Sequence, residues 1–213
     1  MARGKFIVFE GIDGSGKGTQ ICKALAYILE ASKANDVYIT REPTRTFLEI
    51  RRAMAASRNV RSNAHCFAEM FVKDRWNHIQ QHIEPALRTG THVLCDRYKY
   101  STFAYQTTQG IDLSSLVEMH EGMLVPDMVL FIDCAADVSF QRRAGTATDV
   151  FEKNLEFQRA LRQKYLELAT DPRVAADNIR IINGMQSVEA VAEEITRHLR
   201  EIIPSESQVS RPC

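Results

Sequence analysis

Lys5-Phe6-Ile7-Val8-Phe9-Glu10-Gly11-Ile12-Asp13-Gly14-Ser15-Gly16-Lys17-Gly18-Thr19 is the stretch that decides the fold. The apolar run 5–10, rich in β-branched and aromatic residues, predicts a strand, and the amphipathic stretch 17–34 predicts a helix. Between them lies a GxxxxGK loop. Its glycines let successive backbone N–H groups turn inward as an anion nest, and the helix N-terminus adds partial positive charge. Gly11, Ile12, Asp13, Gly14, Ser15, Gly16, Lys17, Gly18 and Thr19 are therefore the candidate cradle for a nucleotide's phosphates, with Lys17 reaching the β/γ-phosphates. The position after the lysine is where a Ser or Thr hydroxyl holds Mg²⁺, but this chain has Gly18 there and Thr19 next. One residue turns a helix by roughly 100°, so Thr19 cannot point in the same direction. Mg²⁺ is then held either through waters and carboxylates or from a shifted position.

Working outward, four more apolar runs follow at 37–42, 92–96, 128–133 and 178–182, none with clean polar alternation. Runs apolar on both faces are expected of parallel strands covered by helices on either side. Helical patterns at 45–57, 65–88, 113–123, 137–143, 150–170 and 187–203 lie between and after them. The alternation predicts an α/β chain with an open five-stranded parallel sheet and helices on both faces. Ligands of such sheets bind outside the carboxyl ends of the strands. Residues 1–203 are expected to form one domain, with a mobile lid near 142–150 built on the small-residue loop AGTATD, and 204–213 a flexible tail.

The composition sets limits on function. Lys plus Arg and Asp plus Glu are each 27, so the formal net charge is zero, which argues against a nucleic-acid binder. With 45% apolar and 25% charged residues in 213, the chain has ordinary globular composition. The five cysteines form no CxxC pair, which favours a reduced, cytoplasmic protein. The apolar run near the N-terminus is too short for a secretory leader, and no stretch is long enough to span a membrane.

Strand two ends in Arg41-Glu42-Pro43-Thr44-Arg45 and strand three in Asp96-Arg97-Tyr98-Lys99-Tyr100-Ser101-Thr102-Phe103-Ala104-Tyr105-Gln106. Both put arginines at the carboxyl edge of the sheet beside the nest, where an arginine fork suits a second phosphate group. The guanine-reading Asn-Lys-x-Asp of a GTPase is missing. These segments, with Phe9-Glu10-Gly11-x-Asp13-Gly14, Phe71-x-x-Asp74-Arg75, Pro126-Asp127-x-x-x-x-x-Asp133 and Tyr165-Leu166-x-Leu168-Ala169, resemble in order the motifs of the thymidylate kinases, a family of P-loop nucleoside monophosphate kinases. The resemblance runs from the N-terminus to about residue 200.

That resemblance implies ATP-dependent phosphorylation of dTMP to dTDP by a Mg²⁺-dependent homodimer. It implies that Asp13 binds the 3′-hydroxyl of the acceptor deoxyribose, that Phe71 stacks on thymine, and that Arg75 reaches an exocyclic oxygen of the base. Phe71 and Arg75 stand one helical turn apart, which does put them on one face. Arg97 and Arg45 would hold the acceptor phosphate and Tyr105 would fill the space a ribose 2′-hydroxyl needs. Glu42, Pro43, Ser101 and Thr102 complete the implied acceptor site. Asp96 is the candidate carboxylate for magnesium waters, or else a partner of Lys17 or Arg97. Some members of the family carry a catalytic arginine in the phosphate loop, where this chain has Gly14; others supply it from the lid, here Arg142 or Arg143. Two other readings stay open: a kinase of another nucleotide or deoxynucleoside on the same fold, and a non-catalytic nucleotide-binding switch.

Overall fold

Strand β1 (Phe6–Glu10) is buried along its whole length, as the centre of a sheet must be. In this computed structural model, which describes residues 2–45, 48, 50, 52, 64–143, 154–174 and 177–205, it is flanked by β3 (His92–Asp96) and β4 (Met128–Asp133). β2 (Val37–Arg41) and β5 (Ile179–Asn183) form the edges, giving the order β2-β3-β1-β4-β5 with every pairing parallel. Val8 aligns with Cys95 on one side and Val129 on the other. The chain leaves β1 toward β2 on one side and later crosses to β4 on the other. This reversal opens a crevice at the carboxyl ends of β1 and β3.

Successive strand residues point to opposite faces, and each face carries its own core. Phe6, Val8, Val93, Cys95, Val129 and Phe131 pack on one side, and Ile7, Phe9, Leu94, Met128, Leu130 and Ile132 on the other. The second face is covered by α1 (Lys17–Ala31) and the C-terminal α8 (Val188–Ile202), through Ile21, Ala24, Ile28, Val191, Ile195 and Leu199. The first is covered by α2 (Ala64–His78), α4 (Lys99–Thr108), α5 (Leu113–Met119) and α7 (Leu155–Thr170). The fold class expected from the alternation of elements is therefore the one observed.

The differences have local causes. The pattern 65–88 is one helical run interrupted by a π turn at Ile79–Ile83, in which Glu84 N–H donates to Ile79 C=O, before the short α3 (Glu84–Arg88). Pro85 stands near the start of α3 and cannot donate to an i−4 carbonyl, so the ladder has to be re-registered there. α4 was not among the predicted helices. Its sequence KYSTFAYQTT is dominated by weak helix formers, and burial of Tyr100, Thr102, Phe103, Ala104 and Gln106 holds it instead. α5 stops four residues short of the expected end, followed by His120 and by Gly122 with a positive φ of 76°. β5 begins one residue late because Asn178 has φ 54° and its side chain bonds Asp127 C=O at 2.7 Å. α6 (Ala136–Arg142) agrees with the pattern at 137–143. Residues 48, 50 and 52 of the pattern 45–57 are helical; the rest of that pattern, lid residues 144–150 and the tail from 206 lie outside the described residues.

Candidate active site

The loop from Gly11 to Gly16 carries positive φ at Gly11 (141°), Gly14 (82°) and Gly16 (102°). A Cβ on Gly11 would come within 2.7 Å of Ile132 C=O, so the loop needs glycine there for space as well as for conformation. Lys17 opens α1 and folds back over its own loop, Nζ donating to Gly11 C=O (3.0 Å) and Ile12 C=O (3.1 Å). Burial and the Arg97 charge lower its pKa to about 8, against the opposing pull of Asp13, Asp96 and Glu10.

Asp13 faces across the crevice to the turn after β3. Its Oδ1 accepts from Arg97 Nη2 at 2.6 Å and its Oδ2 from Tyr105 OH at 2.9 Å. Burial opposes its ionisation, but the Arg97 and Lys17 charges and the Tyr105 hydrogen bond outweigh it and hold the carboxyl well below the usual range. Arg97 has φ 74°, an unusual conformation for a residue with a side chain, and its guanidinium lies over the Tyr105 ring. From Nη1 it donates to Ser101 Oγ (2.9 Å) and Tyr165 OH (3.2 Å). Both hydroxyls in turn donate to Glu10 Oε2, at 2.7 Å and 3.0 Å, while Tyr98 and Ser101 N–H donate to Oε1. Each hydroxyl has a single proton, so donation runs one way, from Arg97 through the hydroxyls to the Glu10 carboxylate.

A second cluster sits beside this one. The peptide Glu42–Pro43 is cis, and Thr44 N–H and Oγ1 donate to the two oxygens of Asp74 at 2.7 Å and 2.5 Å, pinning the segment after β2 to α2. Glu42 is buried between Arg75 Nε (2.6 Å) and His78 Nδ1 (3.0 Å). Arg75 also donates to His120 Nε2 at 2.6 Å and to Thr102 Oγ1 at 3.2 Å, and lies over the Tyr98 ring. Phe71, one turn earlier on α2, is half-buried where Phe67 is fully buried. Arg45 is exposed at the end of the pinned segment.

The two arginines expected at the start of the lid differ. Arg142 is exposed and its Nη1 points to Cys134 Sγ at 3.6 Å. The stem of Arg143 lies against the phosphate loop, so close that a Cβ on Gly14 would meet its Cδ at 2.8 Å. For Mg²⁺, no group of three or more His, Cys, Asp or Glu could hold a metal among the described residues. Asp96 Oδ1 and Ser15 Oγ are nevertheless buried without a hydrogen-bond partner. A single carboxylate fits a cation that keeps most of its waters and binds substrate phosphates, as Mg²⁺ does. Asp96 pairs with Arg41 (3.5 Å), not with the Lys17 or Arg97 considered from sequence.

Three residues given no role from sequence are central here: Glu10, Tyr165 and His120. Glu10 and Tyr165 stood inside motifs, but 155 positions separate them and only folding brings them to 3.0 Å. His120 had no signal in the sequence at all.

The model of the family described as thymidylate kinase matches residues 9–195. The chain is 39% identical over 199 residues to a "Probable thymidylate kinase" of Pyrococcus abyssi, covering 91% of this chain and 94% of that one. It is 35% identical to a "Thymidylate kinase" of Symbiobacterium thermophilum (93% and 94% covered) and 36% to one of Ruegeria pomeroyi (91% and 93%). A phosphate loop joined through Asp13 to an arginine-bearing turn, and these full-length similarities, lead to one assignment: the chain belongs to the thymidylate kinase family.

Proposed function

We infer that this chain is a nucleoside monophosphate kinase that transfers the γ-phosphoryl group of ATP to dTMP, giving dTDP for dTTP synthesis. The observation that carries the reading is the Asp13–Arg97 contact of 2.6 Å, which couples a donor-phosphate nest to a positively charged acceptor pocket. A protein that only sensed nucleotide would have no use for the second half, and nothing in the family relationship favours a switch or another acceptor class.

Phosphoryl transfer asks for positioning and charge neutralisation more than for covalent chemistry from the protein. The nucleophile is the acceptor's own phosphate oxygen, ionised at neutral pH. Arg97 and Arg45 hold that phosphate, and Lys17 leaves its two loop carbonyls to neutralise the donor's β/γ oxygens. Arg143, already against Gly14, extends over the transferring group. Mg²⁺, when bound beside Asp96, neutralises phosphate oxygens further. Asp13 accepts the 3′-hydroxyl, and Tyr105, held by that same carboxylate, fills the 2′ position. Phe71 stacks on the thymine and Arg75 donates to its exocyclic oxygen, with Glu42, Pro43, Ser101 and Thr102 shaping the pocket wall.

The same reading takes the domain to span 1–203 with a lid near 142–150, and the working form to be a cytoplasmic homodimer. Among the described residues no helix is long and apolar enough to cross a membrane, and the four of the five cysteines that fall within them, Cys22, Cys66, Cys95 and Cys134, are free thiols. A product assay tests the activity: ATP and Mg²⁺ with dTMP, dUMP, UMP, CMP, AMP or GMP, resolved by chromatography. dTDP should form well ahead of the other diphosphates; a different leading product would overturn the acceptor assignment. Sedimentation equilibrium tests the dimer.

A further inference from the structure

Arg75 is almost fully buried, and its guanidinium has five N–H donors, of which three have defined partners: Nε on Glu42, one on Nη1 to His120, one on Nη2 to Thr102. Among the described residues, one N–H on each terminal nitrogen has no defined partner. Where those two point is set by the plane of the guanidinium, and the plane is set by the three partners.

His120 is the unusual one. Its Nδ1 lies 2.7 Å from Leu116 C=O, which can only accept, so Nδ1 carries a proton. Its Nε2 lies 2.6 Å from Arg75 Nη1, which can only donate, so Nε2 is a bare lone pair. Both contacts require the neutral Nδ1–H tautomer, and the ring is braced edge-on against Phe103 with centroids 4.9 Å apart. Burial and the adjacent Arg75 charge act in the same direction, lowering the pKa of His120 to about 3.

We propose that His120 is a positioning residue for recognition of the acceptor base: a locked neutral imidazole that accepts from Arg75 and aims its two remaining N–H groups at a carbonyl oxygen at position 4 of a pyrimidine. The proposal rests on the base-reading role of Arg75 given above. It makes selectivity between a 4-oxo and a 4-amino pyrimidine depend on a side chain that never touches the substrate.

The test uses two variants and two acceptors, dTMP and 5-methyl-2′-deoxycytidine monophosphate, which share the sugar, phosphate and 5-methyl group and differ in carrying oxygen or an amino group at position 4, with N3 protonated in the first and bare in the second. H120N keeps a donor for Leu116 C=O but does not reach Arg75; H120Q presents an acceptor near the position of Nε2. H120N should lower kcat/KM for dTMP by about tenfold or more, the scale of one hydrogen bond to a charged group, with the 4-amino analogue within about twofold and KM for ATP unchanged. H120Q should recover most of the preference. Equal losses on both acceptors, or an unchanged preference in H120N, would overturn the proposal. Imidazole ¹⁵N shifts of the unaltered protein give a measurement independent of variant folding. The Nδ1–H tautomer at pH 6 is expected, and an Nε2–H or doubly protonated ring would overturn the proposal. If the unaltered enzyme shows no preference between the acceptors, the Arg75 reading itself fails, and this proposal with it.

Discussion

Arg97 Nη2 and Asp13 Oδ1 stand 2.6 Å apart, joining two turns that are 84 residues distant in sequence and adjacent at the carboxyl ends of β1 and β3. The pair is mostly shielded from water, and each partner bonds further: Asp13 to Tyr105, Arg97 to Ser101 and Tyr165. Replacing Arg97 by Lys retains the charge but loses the fork that serves three oxygens at once. R97K should lower kcat/KM for the acceptor about a hundredfold while ATP binding by calorimetry changes far less. Loss of ATP affinity on the same scale would show that Arg97 serves the donor side.

Gly14 and Gly16 both have positive φ, but their surroundings differ. A Cβ at Gly16 meets nothing within 4 Å, so G16A should cost only the backbone strain, about 1 kcal/mol. At Gly14 it would meet Ser139 C=O at 2.5 Å and the Arg143 stem at 2.8 Å. G14A should therefore be the more destabilising by about 2 kcal/mol in denaturant unfolding, and should also displace Arg143. Equal losses in the two variants would contradict the close approach of α6 to the loop.

Arg143 and Arg142 are adjacent in sequence, yet only Arg143 lies on the phosphate loop. R143A should lower kcat by 10²–10³, as expected for removing one charge from a developing transition state, with KM for ATP within about threefold. R142A should lose far less. The reverse order, or unchanged turnover in R143A, would move the catalytic charge elsewhere.

The pKa of Lys17, about 8 against an ordinary 10.5, gives two pH effects of defined sign. Below pH 8 both folded and unfolded chains hold the proton. Between about 8 and 10.5 the folded chain releases it first, so the unfolded state binds more protons and stability from this group rises with pH. K17M should flatten that slope in unfolding curves measured from pH 7 to 10. Bound triphosphate restores the charged form, so calorimetry at pH 8 in buffers of different ionisation enthalpy should show uptake of about half a proton per nucleotide. K17M should show none.

How much of this was legible in the sequence depends on the range of the interaction involved. The Gly11–Lys17 spacing and the buried strand before it are local, so the nest and its lysine could be read directly, as could the alternation that makes a parallel sheet. Helix α4 was missed because its weak helix formers carry no local signal; its order comes from burial against the sheet. Arg97, Arg75 and Asp13 could be named from motifs, but not the partners that hold them.

Sequence by itself determined the chemistry available: a phosphate-binding turn, arginines at three strand ends or helix turns, an aromatic residue one turn before Arg75, and no spare charge for a polyanion. Tertiary structure decided which of those groups meet. Glu10 takes donation relayed from Arg97 through Ser101 and Tyr165, and His120 becomes an obligatory acceptor for Arg75, because β1, β3, α2, α4, α5 and α7 converge on one side of the sheet. A hydrogen bond is lost within a fraction of an ångström of misplacement, and residues 45 to 155 positions apart acquire that precision only from the packed core between them.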